Sequence, residues 1–218
     1  TDDLQFDLPV VDENPLAGLV DVMAAEAMKL SAEWKNKTTT NFSIDMNRLT
    51  LEIISKTMFS EDVEDMAQQI SHSVTILNDG ASKRITNPLR LPRWIPTPEN
   101  KRMKKHLSIM DEILYGIIDN RKGKTSRQSV DLLDMLIYAS DDEGKSMDRK
   151  QVRDEAMTIF IAGHETTAVS MSYIFYLLAR NPEEKERLRE EVRSVCPDGP
   201  IGFEDLSRLI YTKQVVEE

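Results

Sequence analysis

Apolar residues recur at three- and four-residue spacing through most of the 218-residue chain, without alternating β-branched runs or Asn-Gly hairpin signals. The pattern predicts a mainly α fold. Between Leu16 and Trp34, the residues Leu19, Met23, Ala27 and Leu30 fall on one helical face, and Asn14-Pro15 suits a cap followed by the first helical residue. Ile44, Leu51, Ile54 and Met58 mark the inner face of a second helix, with Ser43 as its cap, and a third segment runs from Val63 to about Ile76. Residues 87–98, NPLRLPRWIPTP, hold Pro88, Pro92, Pro96 and Pro98; each removes a donor and restricts the residue before it, which predicts a loop. Glu99 to Asp119 is helical again, with Leu107, Met110, Leu114, Ile117 and Ile118 inward and an end near Lys122-Gly123. A shorter helix, VDLLDMLIYAS, precedes the acidic turn DDEGKS.

The longest helix comes next. Asp148 with Gln151 three residues on is the pattern of a capping box, and helical spacing then continues until Asn181-Pro182 stops it. Ala156 to Ala179 alone would span about 36 Å at 1.5 Å per residue. His164 and Glu165 interrupt its apolar run well short of the roughly 20 residues a membrane span requires. Asn181 is placed to cap the following helix, PEEKERLREEVRSV, with Pro182 at its first position. Glu183 and Glu184 face its positive end, and Glu183 is spaced to meet Arg187. The last residues, YTKQVVEE, begin an amphipathic helix without a stop signal, and TDDLQFDLPVV at the other end shows no secretory leader; both ends are expected to be internal to a longer protein.

Charge narrows the partners. Lys+Arg 28 against Asp+Glu 38 gives −10 and a pI near 4.9, which opposes nonspecific attraction to nucleic acid or anionic lipid. Nucleic acid is excluded as a partner class on this ground, and a membrane is disfavoured. Lys101, Arg102, Lys104 and Lys105 beside Trp94 form a local basic surface, which reads as a solvated helix face in so acidic a chain. A lone cysteine, Cys196, rules out an intrachain disulfide framework and a multi-cysteine zinc site, and suits a reducing compartment such as the cytoplasm.

The long helix carries an unusual centre, AGHETTA at 162–168. In a helix interior Gly costs about 1 kcal/mol relative to Ala, and each Thr up to roughly 0.7. His164-Glu165 opens the zinc pattern His-Glu-x-x-His, but Ala168 stands where the second histidine is needed, so His164 reads as a packed or solvent-tipped residue and not a ligand. Two readings remain. In one, a kinked core helix has its Thr hydroxyls bonded to the preceding turn while Gly admits a neighbouring backbone and Glu finds an exposed edge. In the other, Gly163 permits close approach of a flat ligand or small gas molecule, a distorted turn frees a carbonyl for water, and Glu165 with Thr166 sets an acid beside a hydroxyl for proton delivery.

Ala/Gly-Gly-x-Asp/Glu-Thr-Thr/Ser in the middle of a long helix resembles the oxygen-activation motif of the cytochrome P-450 monooxygenases, and Ala162, Gly163, Glu165, Thr166 and Thr167 match its specified positions. YLLARNPEEKERLREEV, DLLDMLI and RWIPTPENKR are similar to flanking segments of that family, so the resemblance covers roughly residues 16 to 218. It implies a partial cytochrome P-450 fold as a single domain over 1–218: an unassigned segment at 1–15, the oxygen-binding helix at 146–181, and at 211–218 the start of a Glu-x-x-Arg helix with Glu218 as its structural glutamate. It implies a haem (heme b) against Ala162, Gly163, Thr166 and Thr167, the last mainly supporting the helix. Glu165 and Thr166 would be catalytic toward O2, and Ile159 and Ala162 would face an apolar substrate such as a fatty acid or terpenoid. A ferredoxin- or flavoprotein-type donor would supply electrons.

The family's iron is held by a cysteine thiolate, set in Phe-x-x-Gly-x-Arg-x-Cys-x-Gly. Ahead of Cys196 the chain has Arg189, Val192 and Ser194 instead, so Cys196 is expected to be a structural thiol and the axial ligand to lie outside this sequence. The chain by itself is expected neither to hold haem properly nor to turn over. The competing reading is a noncatalytic helical protein.

Overall fold

The computed structural model describes residues 15–60, 67–86, 92, 94–122, 131–140, 144–197 and 199–218. The expectations at Asn14, Val63 and Gly123 lie outside the described residues. The elements are α1 (Pro15–Lys35), α2 (Phe42–Phe59), α3 (Ala67–Thr86), α4 (Pro98–Lys122), α5 (Leu132–Tyr138), α6 (Arg149–Arg180), α7 (Pro182–Val195), a 3-10 turn (Phe203–Arg208) and α8 (Ile210–Glu217). The mainly α expectation holds; β pairing among the described residues is confined to one bridge, Ser140 with Ser146. No helix among the described residues is long and apolar enough to cross a membrane.

The described chain divides into two compact units, 58–161 and 15–57 with 162–218, and both α2 and α6 run through the division. In the 58–161 unit, Phe59, Met110, Leu114, Ile118, Leu133, Val152 and Phe160 form the apolar interior. Leu107 departs from its predicted inward position and is exposed, beside a cavity described below. Arg121 is the polar tie of this unit. It donates to the Phe59 carbonyl and to Asp134 Oδ2 (3.4 Å), and it meets Asp131 Oδ2 at 2.7 Å as an ion pair without hydrogen-bond alignment. Asp131 also caps α5, its side chain accepting from Asp134 N at 2.9 Å. Arg149 spans to α4, donating to Asp119 at 2.8 and 2.6 Å with its guanidinium 3.8 Å from the Tyr115 ring centre.

In the second unit Leu30, Met46, Leu49 and Ala168 form the core, flanked by an aromatic cluster of Trp34, Phe42 and Phe175 with centroids 5.0–6.1 Å apart. Trp34 Nε1 donates to Asp45 Oδ2 at 2.7 Å. Helices α1 and α2 depart from the sequence expectation at three points. Met23 and Ala27 are exposed, because the buried line of α1 carries Glu26, whose carboxylate accepts from Lys56 of α2 at 2.7 Å. Ile44 is 65% exposed, since it belongs to the first turn of α2 and projects away from Met46 and Leu49. Asn41, not Ser43, caps that turn: its Oδ1 accepts from Ile44 N at 3.3 Å.

Asn181 likewise turns its side chain back, donating from Nδ2 to the Leu177 carbonyl at 2.8 Å, so it closes α6 and gives α7 no side-chain cap. Arg187 lies over the Tyr211 ring at 4.1 Å, where an ion pair with Glu183 was expected. Helix α8 is capped from outside itself. Glu191 of α7 accepts from Tyr211 N (2.6 Å), Thr212 N (2.7 Å) and Thr212 Oγ1 (2.7 Å), satisfying donors that the helix start leaves orphaned.

Partial burial alone would raise the Glu191 pKa, but these hydrogen bonds outweigh it and hold the carboxyl below its ordinary value. A carboxyl depressed in the folded state binds fewer protons than the unfolded one, so its contribution is present above the ordinary carboxylate range and is lost as the pH falls through the depressed value. Protection of the Tyr211 and Thr212 amides, taken as hydrogen exchange relative to the intrinsic rate at each pH, should therefore fall on acidification over that window. Glu191→Ala should show little protection at both amides at every pH, whereas full protection in that variant would refute the cap.

Candidate functional site

The capping box at the start of α6 forms as the sequence predicts. Asp148 N donates to Gln151 Oε1 at 2.9 Å, and Gln151 N and Lys150 N each donate to Asp148 Oδ1 at 2.8 Å. From Arg149 the helix runs unbroken to Arg180, so 162–168 is α-helical throughout. The expected distorted turn is absent. Its carbonyl is not free either: Thr166 Oγ1 donates to the Ala162 carbonyl at 2.5 Å, the back-bond of a helical threonine.

Helical geometry, at about 100° per residue, sorts the motif onto different sides of α6. His164 turns inward to α2. It is 1% exposed, with Nε2 3.0 Å from the Asn47 carbonyl. Burial lowers its pKa, partly opposed by the bond to Asn47 and the charge of Glu165, so the imidazole is held neutral and donates that proton. Gly163 also faces α2: a Cβ there would lie 2.6 Å from Ile54 Cδ1. The space a side chain would need is taken by Ile54, which is the close approach of a neighbour that a mid-helix glycine permits.

Ala162 and Thr166 lie on another side and are exposed. They continue as Val169 and Tyr173 at i+7 and i+11, one line along the helix, with Tyr173 64% exposed despite its size. Glu165, half-buried, stands at the edge of this line, so a carboxyl and a hydroxyl neighbour each other there. Thr167, also exposed, lies about 100° round the helix from Thr166 and is not on the same line.

Ile159 is half-buried, on the part of α6 that belongs to the 58–161 unit. In that unit a cavity of 530 Å³ opens between α3 and α4. It is lined from α6 by Met157 and Ile161 rather than Ile159, and its polar lining includes Arg84, Asn100 and Lys104. Sequence reading missed these residues. The available signal was a pair of small or apolar residues four apart on each of two helices, Leu77 with Ala81 and Met157 with Ile161.

Glu218 ends α8, its N–H donating to the Gln214 carbonyl at 3.1 Å, and it lines a groove with Tyr211, Val215 and Leu178. Cys196 ends α7 and is partly buried; burial first, then the adjacent Asp205 carboxylate, pushes its thiol above the ordinary value. Both effects favour the protonated form, whereas a metal-ligating cysteine is a thiolate.

A helical protein organised along one long helix, with an acid and a hydroxyl side by side at mid-helix, is the class these features define. The chain belongs to the cytochrome P-450 family, whose model matches residues 10–218. Similar proteins include cyclooctat-9-en-7-ol 5-monooxygenase of Streptomyces melanosporofaciens, 29% identical over 212 residues, covering 96% of this chain and 46% of that one. Pentalenene oxygenase of Streptomyces avermitilis is 29% identical over 198 residues (90% and 43%), and cytokinin hydroxylase of Arabidopsis thaliana 31% over 221 (96% and 43%). The chain thus spans less than half the length of these relatives. Membership implies a haem cofactor in the complete enzyme.

The Gly163 notch yields a test by double substitution. Gly163→Ala gains about 1 kcal/mol of helix propensity, but displacing Ile54 Cδ1 offsets that gain and leaves the net change near zero or unfavourable. Ile54→Val removes that methyl, so in its background Gly163→Ala should stabilise by about 1 kcal/mol. Denaturant unfolding of the four proteins measures the coupling; additive effects would show that Ile54 does not fill the notch.

Proposed function

We propose that the complete protein is a haem-dependent monooxygenase that uses O2 to hydroxylate an apolar small molecule, such as a fatty acid or terpenoid. The observation that carries this reading is the outward line of Ala162 and Thr166 with Glu165 at its edge, on a helix whose other side α2 holds fixed. Three relatives bear the names monooxygenase, oxygenase and hydroxylase, which supports the reaction class.

That line fits a flat macrocycle. A methyl at Ala162 is a low floor, and Val169 and Tyr173 offer exposed apolar surface along its edge. Ala162 and Thr166, with Gly163 through its backbone, are the residues assigned to hold the haem, and Thr167, off that line, supports the helix. When bound, the haem supplies the site where O2 is reduced by two electrons. Those electrons come from a ferredoxin- or flavoprotein-type donor. No residue of this chain is assigned as axial ligand, because Cys196 has the wrong sequence context. Turnover accordingly belongs to the complete protein.

Inserting one oxygen atom releases the other as water, which consumes two protons per turnover. Thr166 donates to the Ala162 carbonyl, so its lone pairs are left to accept a hydrogen bond from a proton-bearing oxygen on the open side. Glu165, with part of its surface in solvent, can exchange protons with water and pass them to that position. The lone thiol suits a reducing compartment such as the cytoplasm.

Two substitutions in the complete enzyme separate these roles. Thr166→Ala should leave substrate affinity unchanged while a large share of electrons is diverted to hydrogen peroxide; unchanged coupling of electrons to product would remove Thr166 from the mechanism. Glu165→Gln should lower turnover by roughly 100-fold and alter the solvent isotope effect. Normal turnover with an unaltered isotope effect would remove the carboxyl from proton delivery.

A further inference from the structure

The cavity of the 58–161 unit has walls of mixed character. Leu77 and Ala81 of α3, Leu107 of α4, and Met157 and Ile161 of α6 make it mostly aliphatic, yet two cationic side chains, Arg84 and Lys104, line it too. Other half-buried arginines of this unit meet carboxylates: Arg121 has Asp131 and Asp134, and Arg153 has Asp111 and Asp154. Arg84 does not. Its Nη2 donates to the neutral amide oxygen of Asn100, its Nε is buried without a hydrogen-bond partner, and among the described residues no carboxylate lies within ion-pair distance of Arg84 or Lys104.

A guanidinium placed this way is costly unless something anionic completes it, because a buried donor left unsatisfied loses its hydration with no return. It is also held in place. Asn100 is buried, and its Nδ2 donates to the carbonyls of Pro92 (3.0 Å) and Ile95 (2.8 Å) while its N–H donates to Thr97 Oγ1 (3.1 Å). The proline-rich loop thus fixes Asn100, and Asn100 fixes the fork of Arg84. The planar fork of a guanidinium matches a carboxylate better than any neutral head group.

We propose that this cavity binds an amphipathic monocarboxylate, with its aliphatic body along Leu77, Leu107, Met157 and Ile161 and its carboxylate on Arg84, assisted by the exposed Lys104. The volume of 530 Å³ lies within the roughly 300–1,000 Å³ of small-molecule sites. As substrate recognition the inference rests on the monooxygenase reading above, and it narrows that reading to acids rather than neutral terpenoids.

Calorimetric titration of the full-length protein with decanoate and with decan-1-ol tests it, since the two share an apolar chain and differ in the head. Decanoate should bind at least tenfold more tightly at low ionic strength, and raising the salt from about 0.05 to about 0.5 M should erode that advantage by screening. Arg84→Gln should abolish the preference, Arg84→Lys should restore part of it, and Lys104→Gln should reduce it. Equal affinity for the two ligands, or an acid preference indifferent to salt and to Arg84→Gln, overturns the proposal. Should Arg84→Gln fail to fold, Lys104→Gln and the salt series decide by the same criterion.

The heats require no electron donor, so the two readings fail separately. Decanoate held through Arg84 but never oxidised would contradict the monooxygenase and leave the site standing. Oxidation of a neutral terpenoid without any acid preference would do the reverse.

Discussion

The contact on which the functional reading depends is between α2 and the centre of α6. Ile54 fills the notch at Gly163, and the neutral imidazole of His164 donates to the Asn47 carbonyl. These two contacts fix the rotation of α6 about its own axis in its unit, and that rotation decides which motif side chains face outward. With Gly163 and His164 committed to α2, helical geometry leaves Ala162 and Thr166 outward and Glu165 at the margin. A helix turned by one residue would present Gly163 and Thr167 instead and bury the carboxyl. The unfavourable propensities in AGHETTA therefore have a packing explanation for the glycine and, on the proposed function, a chemical one for the acid and the first threonine.

The same contact explains why the helix is regular where distortion was expected. A packed imidazole and an aliphatic methyl hold the turn from one side, and Thr166 adds a second acceptance to the Ala162 carbonyl from the other. The proposed chemistry does not require a broken helix. It requires a hydroxyl whose own proton is engaged, so that its lone pairs stay available, and a carboxyl within reach of water beside it.

Much of the helical framework was legible because its punctuation is local. Prolines at 92, 96 and 98, the Asp148/Gln151 box and the Asn181-Pro182 stop act on their own backbone neighbours, so a sequence window contains the whole cause. The misread core faces have a distant cause. Met23 and Ala27 have the right spacing for a core, but the buried line of α1 is set by Glu26 finding Lys56, thirty residues away in the chain. Asn181 has the right type and place for a cap, yet its amide bonds the turn behind it. Of the site, the motif residues could be read directly. The aliphatic cavity could not, because Leu77, Leu107 and Met157 come together only when α3, α4 and α6 pack.

The central claim is that the outward line at Ala162, and not the α2-facing notch at Gly163, is the floor on which the haem lies. Haem content per polypeptide, measured by absorbance in the complete protein carrying Ala162→Leu or Gly163→Ala, tests it most directly. The account predicts that Ala162→Leu leaves the fold stable, since residue 162 is exposed, but excludes most of the haem, while Gly163→Ala, near neutral or unfavourable for stability, retains the cofactor. Full haem loading of a folded Ala162→Leu protein would contradict it.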